Sequence, residues 1–214
     1  MTILWDWNGT LVEDVAYTVG INNGIFPALG YAPITIEGYR KDFRFPIKAY
    51  YDTLGISDED FRYIAKTWNA IYVERFNEVP LGPHRLEVVR RFHDLGVRQV
   101  IISASQHDQL QEQVAHFPEL QGMFDQVLGI HDVYAASKVQ LAKDFIAHDG
   151  VDPKDVMFLG DTTHDAEVAA AIGVRCCLIS GGHQNDEVLA TAGVPVLKDV
   201  REVFAILGLG DQES

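Results

Sequence analysis

Four segments of this sequence display residues that can do chemistry, and they come in a fixed order. The apolar run Ile3-Leu4-Trp5 ends on Asp6 and is followed by Trp7-Asn8-Gly9-Thr10. The run Val100-Ile101-Ile102 ends on Ser103-Ala104-Ser105. Lys138 opens a later helical stretch, and a run ending at Leu159 is followed by Gly160-Asp161-Thr162-Thr163-His164-Asp165. If these segments converge, Asp6, Asp161 and Asp165 repel one another, and a Mg²⁺ held by oxygen ligands relieves that repulsion. Mg²⁺ keeps several waters and takes one or two carboxylates plus substrate phosphate. Ser103 can donate a hydrogen bond to a phosphoryl oxygen. Lys138 can neutralise both Asp6 and the transferring group, and Asp6 can attack phosphorus in line to give an aspartyl-phosphate. Singly, each signal is weak. Asp at a strand end is often only a helix cap, Ser after a strand is usually turn chemistry, and Lys in a helix is usually solvated. Order and placement make the set specific.

Convergence requires a parallel sheet, whose strand ends share one edge. The pattern predicts strands over 1–6, 97–102, 126–130, 155–159, 174–179 and 194–197. Helices alternate with them over 85–95, 108–117, 138–148, 165–172, 187–192 and 200–207. That alternation implies right-handed crossovers and an α/β fold. Residues 14–82 differ. Apolar residues recur there at three- and four-residue steps without strands, which about four short helices fit. The expected organisation is a core domain of residues 1–13 and 83–214, with a small α-helical cap domain of residues 14–82. An insertion beside a reactive strand end is well placed to act as a lid.

The 214 residues carry a formal net charge of −14. This argues against a sequence-independent grip on nucleic acid, which needs Lys and Arg to neutralise phosphates, and against an anionic membrane surface. The two cysteines, Cys176 and Cys177, are adjacent in an apolar run. They offer no zinc framework and read as buried free thiols in a reducing, cytoplasmic setting. No signal peptide or membrane-spanning stretch is visible.

With these motifs in this order, the chain resembles the haloacid dehalogenase-like hydrolase superfamily, and most closely its phosphoglycolate phosphatase-like group. The resemblance covers nearly the whole length. It implies a Rossmann-like parallel sheet flanked by helices, with the cap inserted after the first strand. It implies Asp6 as nucleophile, and Mg²⁺ held by Asp6, the backbone carbonyl of Asn8 and Asp161, with Asp165 supporting the site. Ser103 and Lys138 would hold the phosphoryl group. The expected activity is that of a Mg²⁺-dependent phosphatase acting on a small phosphorylated metabolite, as a monomer or homodimer.

One position departs from that pattern. Phosphatases of the superfamily usually carry a second Asp two residues after the nucleophile, which protonates the leaving group and then activates water. Here it is Asn8. An amide cannot do this, so help of about 10²–10⁴-fold would be missing. Water, the substrate, or another group such as His164 or His183 could stand in. Alternatively the chain is a phosphonate (C–P) hydrolase using a cap lysine, Lys41 or Lys48. It could also be a phosphate-ligand binding or regulatory protein with impaired turnover. A further alternative is that Asn8 is an introduced change, or matures by deamidation at Asn8-Gly9. Dehalogenase chemistry fits less well, because the Asp161/Asp165 pair calls for a metal. In the cap, Arg40, Lys41, Arg44 and Lys48 form a local positive excess that could clamp an anionic substrate. Phe43, Phe45, Tyr50 and Tyr51 read as cap core.

Overall fold

The computed structural model describes residues 1–131 and 137–210. After β1 (Thr2–Trp5) come α1 (Val15–Ile25), α2 (Ile36–Asp42), α3 (Ile47–Thr53) and α4 (Asp58–Glu74). The chain continues through α5 (Arg85–Asp94), β2 (Arg98–Gln106), α6 (His107–Ala115), β3 (Gln126–Ile130), α7 (Lys138–Asp149) and β4 (Val156–Gly160). It finishes with α8 (Thr163–Ile172), β5 (Arg175–Ile179), α9 (Asp186–Ala190), β6 (Val196–Leu197) and α10 (Val203–Ile206). The six strands lie in the order β3-β2-β1-β4-β5-β6 and every pairing is parallel. This is the α/β architecture expected of alternating strands and helices. Sequence order reverses at the middle of the sheet, where β1 lies between β2 and β4. Such a switch point opens the crevice in which ligands bind.

The apolar runs are continuous because both faces of the sheet are covered. Neighbouring strand residues point to opposite faces. Ile3, Trp5, Ile101 and Leu159 therefore pack with Val88 and Phe92 of α5 and Phe204 of α10. Leu4, Ile102 and Phe158 pack on the other face with Phe145 of α7 and Val168 of α8. The same alternation separates the adjacent cysteines. Cys177 faces the first layer and Cys176 the second. Both thiols are free and buried, and burial pushes that of Cys177 up to about 11.

Two expectations need correction. β2 does not end at residue 102 but runs to Gln106, so Ser103 lies inside the strand. The pairing with β3 shifts register between Ile102 and Gln106. Gly129 permits this, since a Cβ there would sit 2.7 Å from the Ser105 carbonyl oxygen. The helix expected over 200–207 is instead a 3₁₀ turn, Val200–Glu202, followed by α10.

The helical segment leaves and rejoins the sheet through one paired crossing. Val12 bridges Leu81, Glu13 N donates to Pro80 O at 2.9 Å and Gly82 N donates to Leu11 O at 2.9 Å. Arg85 braces the crossing, with its buried Nε donating to the Thr10 carbonyl at 2.6 Å. At its far end α2 is stitched to the loop after β5. Arg40 donates to the carbonyls of Gly181 and Gly182, and Asn185 N donates to Arg40 O at 3.0 Å. Gln184 Nε2 reaches the Phe43 carbonyl at 2.9 Å. No helix among the described residues is long and apolar enough to cross a membrane.

Candidate active site

The carboxyl ends of β1 and β4 place Asp6 and Asp161 beside each other. Trp5 pairs with Leu159, and Asp6 N donates to Leu159 O at 2.9 Å. Asp165 arrives one helical turn later. Its Oδ2 accepts from Asp161 N at 3.1 Å, Thr162 N at 3.0 Å and Thr162 Oγ1 at 2.7 Å. It thus satisfies the otherwise unpaired amides at the start of α8. One oxygen each of Asp6, Asp161 and Asp165 lie within 4.8 Å of one another, and all three residues are buried. Glycine makes that proximity possible. A Cβ at Gly9, whose φ is +71°, or at Gly182 would lie 2.2 Å from Asp161 Oδ2.

Lys138 is the cation that meets this cluster. It is buried and donates to Asp6 Oδ1 and, at 2.6 Å, to Asp165 Oδ1. A lysine in the first turn of a helix opposes the helix dipole, so the carboxylates hold it there. Burial pulls its pKa down, but Asp165 and Asp6 more than reverse this and the net shift is upward. Asp165 is held low: burial raises it, but Lys138 and the Thr162 hydrogen bonds outweigh burial. Asp6 and Asp161 are both raised, chiefly by burial and then by neighbouring carboxylates. Three buried carboxylates against one lysine leave the set under-neutralised. Hard oxygen donors with excess negative charge fit a divalent cation. All three residues offer it an oxygen, and Asp165 is the most heavily engaged of them, accepting from Lys138, the Asp161 and Thr162 amides and the Thr162 hydroxyl.

Removing Lys138 would strand buried charge. In chelated protein, Lys138→Met is expected to cost about 3–5 kcal/mol of stability, the cost of breaking a buried pair. Urea melts measure it. A loss below about 1 kcal/mol would mean that Lys138 does not neutralise the cluster.

Asn8 sits at the mouth of the crevice. Its Nδ2 donates to Asp14 Oδ2 at 2.9 Å and contacts the Tyr72 hydroxyl at 2.6 Å, and its Oδ1 accepts from Ser105 Oγ at 2.9 Å. Tyr72 in turn donates to Asp14 Oδ2 at 2.7 Å, and Gly9 N donates to Asp14 Oδ1 at 2.8 Å. Asp14 is 1% exposed and lies 3.2 Å from His183 Nε2. His183 Nδ1 is 2.8 Å from the Tyr39 hydroxyl, and the His183 backbone N donates to Asp161 Oδ2 at 2.6 Å. Burial lowers the His183 pKa, but Asp14, then Asp161 and Asp6, outweigh it and raise it to about 9. Asp14 moves the opposite way. Burial raises it, and His183 more than offsets this.

The sign of the pH dependence follows. His183 has its ordinary value of 6.5 in the unfolded chain and about 9 in the fold. Its contribution is complete below 6.5 and is lost as pH rises through about 9. In chelated protein, stability is therefore expected to fall by roughly 3 kcal/mol across that window. Thermal melts of wild type and His183→Gln test this, and an equal slope in both would sink it.

The structure brings Asp6, Asn8, Ser103, Lys138, Asp161 and Asp165 to one cavity of about 500 Å³. It does not bring Arg44 or Lys48 there. Arg44 turns back on the Asp42 carbonyl and lines a separate depression with Lys41. Lys48 is held by Asp52 and Asp58. Arg40 is committed to carbonyls and not to a ligand. Of the two candidate histidines, His183 joins the Asp14 network. His164 pairs with Glu167 and packs on Phe45. Phe43, Tyr50 and Tyr51 are buried as expected of a cap core, yet they also line the cavity. Sequence reasoning missed Asp14, Tyr72 and Thr10, whose Oγ1 donates to Asp161 Oδ1 at 2.8 Å. Asp14 had one visible signal, a polar residue at the very start of the helical segment.

A family model described as haloacid dehalogenase-like hydrolase matches residues 3–179. A phosphoglycolate phosphatase of Synechococcus elongatus is 22% identical over 190 residues, covering 89% of this chain and 88% of that one. Phosphoglycolate phosphatase 1 of Pseudomonas aeruginosa is 21% identical over 212 residues, covering 94% and 78%. A haloacid dehalogenase-like family hydrolase from Streptococcus pneumoniae superposes with a TM-score of 0.82 at 19% identity, covering 96% and 97%. At that identity the superposition speaks for the fold.

Proposed function

This chain belongs to the haloacid dehalogenase-like hydrolase family, and from that premise we propose a phosphatase that cleaves a small phosphomonoester through Asp6, with Mg²⁺ as its metal. The observation that carries this reading is the cluster of three buried carboxylates and one buried lysine at the floor of a single cavity. Bound there, the metal would offset carboxylate and phosphoryl charge and orient the phosphoryl group. Asp6 and Asp161 would hold it, with the Asn8 carbonyl as a further oxygen ligand. Asp165 fixes the positions of Asp161 and Lys138.

Asp6 attacks phosphorus, the phosphorus–oxygen bond to the alcohol breaks with the departing alkoxide taking its proton from water, and an aspartyl-phosphate forms. Water then cleaves that acyl phosphate, releasing inorganic phosphate and restoring Asp6. Lys138 and Ser103 hold the phosphoryl oxygens through both steps. The helical segment, stitched across the cavity by Arg40, Gln184 and Asn185, excludes bulk water.

Phosphate release from p-nitrophenyl phosphate with Mg²⁺ tests the reading. Turnover that is abolished by a chelator and restored by Mg²⁺ is the expected result. The phosphonate-hydrolase alternative loses its support, since Lys41 and Lys48 both lie outside the cavity. A binding protein with impaired turnover draws on the Asn8 amide. Tight phosphate binding without release from any phosphomonoester would favour it.

A further inference from the structure

The cavity is far larger than a phosphoryl group needs, and four of the residues lining it carry a buried polar atom without a partner. Thr18 Oγ1, Asn22 Nδ2, Tyr50 OH and Trp68 Nε1 are buried there without a hydrogen-bond partner among the described residues. Buried polar groups in native proteins are nearly always paired, so four orphans on residues of α1, α3 and α4 that line one cavity call for an occupant. Their chemistry is uneven. The indole N–H and the amide NH₂ can only donate, while the two hydroxyls can do either. The acceptor side of Asn22 is already taken by the Tyr51 hydroxyl at 3.0 Å.

Helix geometry sets the reach. Asp14, Thr18 and Asn22 follow at four-residue steps along α1 and share one face. Asp14 is at the reactive end, bonded to Asn8 and Gly9. At about 1.5 Å of rise per residue, Asn22 stands roughly 12 Å further along. A two-carbon acid ends well short of that. Flat rings close the space between, with Phe61, Trp68 and Tyr72 of α4 facing Phe43 and Phe45. Among the described residues, Lys138 is the only Lys or Arg lining the cavity, and it is paired with Asp6 and Asp165. Arg40, Arg44 and Lys48 are committed elsewhere. A carboxylate on the leaving group would thus meet rings, the buried Asp14, and cations already paired with carboxylates, Lys138 with Asp6 and Asp165 and His183 with Asp14.

We propose that the ligand of this site is a phosphomonoester of an uncharged, ring-bearing alcohol rich in hydrogen-bond acceptors, the chemistry of a nucleoside 5′-monophosphate, and not a short carboxylate-bearing phosphate. The proposal takes the reaction from the phosphatase reading and the ligand class from the residues lining the cavity.

Two measurements separate them. With Mg²⁺ and p-nitrophenyl phosphate as reference, uridine and inosine 5′-monophosphates should exceed 2-phosphoglycolate in kcat/KM by 100-fold or more. Separately, Asp6→Asn protein should bind the nucleoside monophosphates in a Trp fluorescence titration that needs no turnover. Trp68→Phe keeps an aromatic ring but removes the pyrrole with its N–H, and it should raise KM for the nucleoside substrate about tenfold with kcat nearly unchanged. If p-nitrophenyl phosphate is cleaved but 2-phosphoglycolate matches or beats the nucleoside monophosphates, the ligand class is wrong and the phosphatase stands. The ligand class also falls if Trp68→Phe leaves KM unmoved. If nothing is cleaved yet the nucleoside monophosphates bind and 2-phosphoglycolate does not, the phosphatase falls and the ligand class stands. Neither cleavage nor binding overturns both.

Discussion

Asp6→Asn should lose phosphate release by about 10⁴-fold or more, the scale on which removal of a nucleophile is felt, while the protein stays folded. The two halves of that result have one cause. The Asp6 carboxyl is buried beside two other carboxylates, and burial first and those neighbours next hold its pKa well above the ordinary value. An amide of the same shape can still accept from Lys138, and it removes one of the mutually repelling charges. In chelated protein the variant should therefore melt no lower than wild type. Phosphate release and a thermal melt on the same sample give both numbers. Activity above about 1% of wild type would remove Asp6 from the nucleophile's role, and a large drop in melting temperature would make the activity loss uninformative.

The second large effect concerns the position where this chain parts from its family. Asn8 is no passive replacement, since its amide donates to Asp14 and contacts Tyr72. Asn8→Asp alone would set a carboxylate against the Asp14 carboxylate across a 2.9 Å contact. That should destabilise the protein by about 1–3 kcal/mol and mask any catalytic gain. Exchanging the two, Asn8→Asp with Asp14→Asn, restores an amide–carboxylate contact and puts a proton carrier at position 8, while the carboxylate that pairs with His183 moves from position 14 to position 8. The double variant should speed hydrolysis of a simple alkyl phosphate by about 10²-fold. It should speed that of p-nitrophenyl phosphate much less, because only the alkoxide needs a proton to leave. Equal acceleration of both would show that protonation of the leaving group is not what Asn8 lacks.

The elements and the first circle of the site were legible in the sequence for a specific reason. Strands buried on both faces read as unbroken apolar runs, and two such runs here stop at a carboxylate of the buried cluster: Asp6 after Trp5, Asp161 after Gly160. Periodicity likewise marks α4 and the helices behind the sheet. What stayed hidden depends on contacts between distant segments. Asp14 looked like the start of a helix. Only the fold places it against Asn8, Tyr72 and His183, which are 6, 58 and 169 residues away. Lys48 read as a substrate clamp because charge counts do not show that Asp52 and Asp58 reach it first. The aromatic residues of α2 to α4 read as core, which Tyr39, Tyr50, Tyr51 and Tyr72 are, but a sequence pattern cannot show that one edge of that core also lines a cavity.

The loop after β5 has two loads. Residues 181–185 take the Arg40 and Gln184 contacts that fasten α2, and the same five residues place the His183 amide on Asp161 Oδ2. On the proposed reading, in which Asp161 would hold the metal, closure of the helical segment over the cavity and the placing of that carboxylate would be one equilibrium seen from two ends. Binding linkage is reciprocal, so whatever factor closure adds to the affinity of the acidic cluster for a cation, the cation adds to closure. Hydrogen exchange at the amides of Tyr39 and Phe43 should accordingly slow when Mg²⁺ is added, before any substrate is present, and an unchanged rate would uncouple the two. A slowed rate would make the latch a reporter of the charge state at its floor.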